Sequence, residues 1–435
     1  MTSSQILIKT CGFLLATAAL PVLCVQTLFN KRWRVGFGDR LGLGRWRDLT
    51  ALNSVQTVWF HGASMGEIVG LQPVISEVAG KFTDVRTIVT TTSLTGRAEA
   101  DKRSRLALAA LMPLDHPWIV QTVIRRVNPS VFVLAETELW PNLLMALRER
   151  NVPTIVINGR ISDYSFPRYL ALKPCVTPFI RCVDRFYVQT ETDKERFVAL
   201  GAHESDVLVS GCTKYDRAVC EYSDADLQGL ADSFGLNMEH PVFVAGSVRQ
   251  GEDRQAIAAY QMARKHFPEL QMIIAPRHPE RFQIVADLLL NMHVDFNRRS
   301  SGVAKSTKPV MLLDTVGELS KAYALARASF VGGSMVNIGG HNPLEPASCG
   351  SPVIMGNYVA NVRDAVQGLR HAEAIIQVSN ENELCDAICC YVGDEGLARR
   401  VGARAREVWK SNLGVTGQIV DYIGSYLNSD VRVNP

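Results

Sequence analysis

The sequence predicts a chain of two α/β domains, each a mostly parallel sheet covered by helices. Three observations carry that expectation. Short apolar runs, bounded by Gly, Pro, Asn or Asp, alternate with helical patterns, as strands buried on both faces do. The alternation stops at a polar, acidic stretch over 223–240 and then restarts. A chain of 435 residues, 47% hydrophobic and only 20% charged, also carries enough apolar surface for two cores and too much for a disordered protein.

The chain opens on a run from residue 11 to residue 29, CGFLLATAALPVLCVQTLF, that holds no charge. Lys31, Arg32 and Arg34 follow at once, and Arg40, Arg45 and Arg47 extend the basic stretch. A cleaved signal peptide carries its charges before the apolar run and small residues after it; here only Lys9 precedes. The run is just long enough to span a bilayer, with the basic flank and the rest of the chain on the cytoplasmic side. A buried or interfacial helix is the competing reading. Residues 1–30 are expected to be a membrane anchor.

The first α/β series reads as strands at 55–60 (VQTVWF), 85–90 (VRTIVT), 106–112, 130–135 (SVFVLA), 154–158 (TIVIN) and 185–189 (RFYVQ). The second reads as strands at 241–245 (PVFVA), 271–275 (QMIIA), 310–313, 328–331 and 352–355. Between them, 223–240 reads as a linker helix and loop. The expected domains are 31–220 and 221–415, two Rossmann-like units facing a cleft, with a terminal segment at 416–435. Ligands of such sheets gather at the carboxyl ends of the strands.

Composition removes several function classes. A net charge of +3 lacks the basic excess of a nucleic-acid binder. The ten cysteines form no CxxC pair and no spacing suited to zinc or to a disulfide framework, which points to a reducing compartment. GxxxxGK[ST] and HExxH are both missing from the sequence. Neither a metal nor a cofactor is expected, so Arg, Lys and helix N-termini must balance the charge of any bound nucleotide.

The candidate residues stand just past the strands. After the first comes His61-Gly62-Ala63-Ser64-Met65-Gly66-Glu67, whose small residues permit a tight turn and leave backbone N–H groups open. Glu67 falls in the first helical turn, where the dipole favours its ionised form. It is either a general base for an attacking hydroxyl or an ordinary first-turn acid. After Ala135 comes Glu136-Thr137-Glu138-Leu139-Trp140-Pro141-Asn142. Here the two acids either meet a ligand or cap the next helix, and Trp140 is either core or a substrate platform.

In the second series four strand ends carry ligand-type residues. They are Ala245-Gly246-Ser247, Pro276-Arg277-His278, Asp314-Thr315-Val316-Gly317-Glu318, and Gly332-Gly333-Ser334 with Gly339-Gly340-His341-Asn342-Pro343-Leu344-Glu345. Arg277 has the paired donors that clamp a phosphate or carboxylate. His278 has no second His or Cys at ligand spacing. Gly339-Gly340, before a Pro-started helix, is expected to cradle an anion with free N–H groups, and Glu345 to reach a ribose diol.

Taken together, the N-terminal apolar run, GASMGE, ETELWPN, GCTKYD, AGS, APRHPER, DTVGEL and GGHNPLEP closely resemble the 3-deoxy-D-manno-octulosonic acid (Kdo) transferases of Gram-negative bacteria. The resemblance covers nearly the whole chain. It implies a GT-B glycosyltransferase fold whose last helix crosses back to the first domain. It also implies inverting, metal-independent transfer of Kdo from CMP-Kdo to the lipid A precursor (lipid IV-A) in lipopolysaccharide core biosynthesis. The enzyme would be anchored at the bacterial inner membrane with its catalytic domains in the cytoplasm.

Carried over by motif, Glu67 is the general base, and Glu136 and Lys214 stabilise the transition state. CMP-Kdo would meet Ser247, Pro276-Arg277, Val316-Gly317-Glu318 and Asn342-Pro343-Leu344-Glu345. Anionic inner-leaflet lipids would attract the basic segment by about 1 kcal/mol per Lys or Arg. Three segments depart from the family pattern: Cys212-Thr213 before Lys214, Val248-Arg249-Gln250 after AGS, and Gly356-Asn357-Tyr358. The rival enzymes are a UDP-sugar transferase or a non-hydrolysing epimerase; epimerases lack the anchor and the two acidic motifs.

Overall fold

The computed structural model describes residues 34–49, 55–102, 108–213, 216, 222–302 and 308–428. The apolar run at 11–29, Lys31, Arg32 and Lys214 lie outside the described residues. The chain divides into two compact units, one of Met1–Arg217 with Asn412–Pro435 and one of Ala218–Ser411.

In the first unit β1 (Thr57–His61), α1 (Met65–Lys81), β2 (Arg86–Thr91), α2 (Leu94–Asp101), β3 (Leu108–Leu111), α3 (Pro117–Val127) and β4 (Val131–Ala135) come first. They are followed by α4 (Pro141–Glu149), β5 (Thr154–Gly159), α5 (Phe166–Ala171), α6 (Lys173–Ile180), β6 (Arg185–Val188), α7 (Glu191–Ala199) and β7 (Val207–Val209). The strands form one parallel sheet in the order β3-β2-β1-β4-β5-β6-β7. β1 to β5 are buried at every position, which is why they read as unbroken apolar runs. Ile68, Leu71 and Val74 of α1 cover one face; Val123, Ile124, Leu143 and Leu144 of α3 and α4 cover the other. Each such side chain contributes about 1.5–3 kcal/mol on burial, so the helix layers fix the sheet between them.

The second unit holds α8 (Asp224–Phe234), β8 (Val242–Val248), α9 (Glu252–His266), β9 (Gln271–Pro276), α10 (Phe282–Asn291), β10 (Phe296–Arg298), β11 (Val310–Leu312) and α11 (Leu319–Ala324). Then come β12 (Ala328–Val331), α12 (Leu344–Ser348), β13 (Val353–Gly356), α13 (Arg363–His371), β14 (Ile375–Val378), α14 (Glu381–Gly393) and α15 (Glu395–Lys410). Its parallel sheet runs β10-β11-β9-β8-β12-β13-β14. Each sheet therefore reverses its winding once, between β1 and β4 in the first unit and between β8 and β12 in the second. Ligands of open α/β sheets bind outside the carboxyl ends at that reversal.

Several expectations change. The stretch 223–240 is no linker: Ser223 and Asp226 form a capping box, Gly235 (φ 67) closes α8, and Ala231, Phe234 and Leu236 are buried with Val242, Val244 and Ile273 in the second unit's core. Strands β7, β10 and β14 escaped the sequence reading. All three lie at sheet edges and are half-exposed, so none presents a fully buried run.

The final helix, α16 (Val415–Leu427), belongs to the first unit. Its Ile419, Val420 and Ile423 pack with Ile68 and Leu71 of α1, and Asp421 pairs with Lys81 at 2.6 Å. The basic stretch is partly absorbed by the fold rather than all presented outward. Arg40 donates to the Thr92 carbonyl at 2.8 Å, and Arg45 donates to the Ala109 carbonyl at 2.7 Å and to Asp101 at 2.6 Å. Among the described residues no helix is long and apolar enough to cross a membrane.

Candidate active site

In the first unit, the loops past β1 and β4 flank the reversal, and both carry acids. Ser64 caps α1: its hydroxyl accepts from the Glu67 N–H at 3.2 Å and donates to the Glu67 carboxylate at 2.8 Å. The other carboxylate oxygen accepts from the Ala63 N–H at 2.8 Å. The hydroxyls of Thr91 and Thr92 donate to the Ala63 carbonyl at 2.8 and 2.9 Å and tie the loop to the end of β2. Glu67 is thus a capping acid in its local geometry. Burial nevertheless raises its pKa above the ordinary carboxylate range, with the Glu136 charge adding to the rise against the hydrogen bonds from Ala63 and Ser64.

Glu138 is raised in the same way, first by burial and then by the charges of Glu67 and Glu136, which places the three acids together. Glu136 itself sits at φ 56, a left-handed conformation that costs a residue with a side chain about 1–3 kcal/mol. Its N–H donates to the Ile157 carbonyl at 2.9 Å, and that bond holds the turn.

Neither Glu136 nor Glu138 caps α4. Asp115 does, accepting from the N–H groups of Asn142 and Leu143 at 3.0 and 2.9 Å while burial raises its own pKa. The sequence reading missed Asp115, although an acid immediately before the His116-Pro117 helix start was a visible signal. Trp140 packs against the core and meets the fully buried His61 ring edge-on, with centroids 5.8 Å apart. Burial lowers the His61 pKa to about 3, so this ring is neutral near pH 7.

Lys214 lies outside the described residues, but both sides of its segment are fixed. Thr213 is buried, donating to the Gly70 carbonyl at 2.6 Å and accepting from the Asn158 side chain at 2.8 Å. Asp216 accepts from the Gly414 and Thr416 N–H groups at the start of α16.

In the second unit, Ser247 lies at a bulge where the β8–β9 register shifts, with φ 55. Gly332 backs directly onto that bulge, where an added Cβ would fall 2.5 Å from the Ser247 carbonyl oxygen. The organiser of this reversal is a residue the sequence reading did not single out, Glu252. It is completely buried, and its carboxylate accepts from the N–H groups of Arg249, Gly333, Ser334 and Met335 at 2.6–2.9 Å. A Gly-Glu-Asp run opening a helix after AGS was its only sequence signal.

At the Gly339-Gly340 turn, part of the expected set of free donors is already engaged. The Gly340 and His341 N–H groups donate to the carbonyls of Gly333 and Gly332 at 2.7 and 3.0 Å, and the Leu344 N–H donates to the Asn342 side chain at 3.0 Å. Those donors brace one loop against another.

The remaining candidates divide by exposure. Arg277 is exposed at the end of β9, just past Pro276, and Val316 is 81% exposed beside Gly317 (φ 93). Glu318 is clamped by Arg299 at 2.8–3.2 Å and by the Thr315 hydroxyl; the Arg299 hydrogen bond is the main cause of its lowered pKa. Pro343 and Leu344 are buried, whereas Glu345 is exposed. Among the described residues no group of three or more His, Cys, Asp or Glu is placed to hold a metal ion.

Residues 35–217 match the family described as 3-Deoxy-D-manno-octulosonic-acid transferase (kdotransferase). The chain is 30% identical to the 3-deoxy-D-manno-octulosonic acid transferase of Bordetella pertussis, over 85% of this chain and 87% of that one. It is 29% identical to the Haemophilus influenzae enzyme of the same name, over 86% of this chain and 88% of that one. Among solved structures, UDP-GlcNAc 2-epimerase from Neisseria meningitidis aligns with 85% of this chain and 100% of its own at a TM-score of 0.59 and 13% identity. That likeness shows the fold alone, two parallel-sheet α/β domains of GT-B-like type.

Proposed function

We propose, because this chain belongs to the 3-deoxy-D-manno-octulosonic acid transferase family, that it moves Kdo from CMP-Kdo onto a lipid A precursor in lipopolysaccharide synthesis. The observation that carries the reading is the desolvated Glu67 carboxylate at the reversal of the first sheet, with two further acids beside it. In the proposed step Glu67 takes the proton of an acceptor sugar hydroxyl as that oxygen attacks the anomeric carbon of Kdo. The bond from that carbon to the CMP phosphate breaks, configuration inverts, and CMP departs with the electron pair.

A carboxylate raised above its ordinary range is the stronger base for this task. Glu136 and Lys214 stabilise the charge that develops. The donor is read as taking Ser247, Pro276, Arg277, the Val316-Gly317-Glu318 turn and the segment from Asn342 to Glu345. Guanidinium and ammonium groups balance its phosphate without a metal. The N-terminal run and the basic residues after it hold the enzyme at the inner membrane, where a lipid acceptor resides.

Mass spectrometry of the product tests the proposal. Purified full-length protein, CMP-Kdo and lipid A precursor should yield a lipid heavier by one or more Kdo residues. Transfer from a UDP-sugar instead, or no transfer from CMP-Kdo, contradicts the assignment.

A further inference from the structure

We propose that Arg249 is a second anion-recognition residue of the donor site, binding a phosphate or a sugar carboxylate together with Arg277. The inference rests on reading the second unit as the donor-binding unit. Arg249 follows β8 directly, at the reversal of the second sheet. Its Nε donates to His341 Nε2 at 3.0 Å, and its Nη1 meets His278 Nε2. A guanidinium only donates, so the ring nitrogens of His341 and His278 that meet Arg249 stand as acceptors. Burial, with the charges of Arg277 and Arg249, lowers the His341 pKa to about 4, in keeping with that geometry. Gly333 makes room for the His341 ring: its φ is 73, and an added Cβ would fall 2.9 Å from the imidazole. The two rings orient the guanidinium without neutralising it.

None of the neighbouring carboxylates forms an ion pair with it, although the charges of Glu252 and Glu280 act on it. Both oxygens of Glu252 are taken by backbone N–H groups. Asp253 pairs with Arg281, and Glu280 stands 4.0 Å from the far nitrogen of His278. Arg277 follows adjacent β9, with its N–H donating to the Val248 carbonyl at 3.1 Å. Among the described residues neither Arg249 nor Arg277 has an ion-pair partner. Two forked cations at adjacent strand ends, one of them half-buried between two ring acceptors, fit an oxyanion that accepts from both. The departure Val248-Arg249-Gln250 thereby acquires a role.

Isothermal titration of the full-length protein with CMP and with cytidine, followed by donor kinetics, tests the inference. Wild type should prefer CMP; equal binding of both would overturn the cytidylate reading itself. R249A should lose about 10- to 100-fold in affinity if Arg249 grips the phosphate, with cytidine binding unchanged. If it grips the sugar carboxylate, CMP affinity holds and the KM for CMP-Kdo rises by a similar factor. R249K, which keeps the charge and loses the fork, should fall between wild type and R249A. CMP affinity and donor KM both at wild-type values in R249A would overturn the inference. So would an equal loss of CMP and cytidine binding in both variants.

Discussion

The two sheets reverse their winding at corresponding places, and the loops at the two reversals carry opposite charge. In the first unit the loops past β1 and β4 gather Glu67, Glu136 and Glu138, two of them raised by burial and mutual repulsion. In the second the loops past β8, β9 and β12 gather Arg249, Arg277 and two histidines. Each reversal also holds a non-glycine residue in left-handed backbone, Glu136 in one and Ser247 in the other. Topology supplies the position; side chains set the charge it carries. The bracing differs too. Hydroxyls fix the acidic loop, whereas one buried carboxylate, Glu252, fixes the basic one.

Four substitutions break or sharpen this contrast. E67Q removes the proposed proton acceptor and should slow transfer by roughly 10²–10⁴-fold, with CMP affinity by titration unchanged. Turnover at the wild-type rate would end the base assignment. E252Q replaces an acceptor of four N–H groups with an amide that brings its own donors; urea unfolding should show a loss of about 2–4 kcal/mol in the second unit. Stability equal to wild type would mean the two loops are braced by something else. R277A should weaken CMP binding about 10- to 100-fold, and an unaltered affinity would remove Arg277 from the site.

The smallest effect has the opposite sign. The folded-state pKa of Glu138 lies above its unfolded value, so its contribution to stability falls as pH rises through the interval between them. At neutral pH E138Q should therefore raise Tm by about 1–3 °C, read by calorimetry. A lower Tm would show that the crowding of acids is not a cost.

The buried centre of each sheet was legible because strands covered on both faces must be apolar throughout. Thus β1, β4, β8 and β9 stand close to where their runs place them. The edge strands β7, β10 and β14 were not, since pairing on one side only relaxes that demand. Candidate residues at strand ends were legible as positions, and their partners were not. Whether Glu136 or Asp115 caps α4, or whether the Gly340 N–H meets a ligand or the Gly333 carbonyl, depends on chain segments distant in sequence. Glu252 was hidden for the same reason: a buried carboxylate on backbone donors more than eighty positions away looks like any acid opening a helix.

A crystal structure of the protein with CMP tests the division of labour most directly. The phosphate should lie in the second unit, within about 3 Å of the Arg277 guanidinium, with the nucleoside toward the Val316–Glu318 turn and the Asn342–Glu345 segment. Nucleotide density in the first unit against Glu67 and Glu136, with the basic reversal empty, would contradict the account.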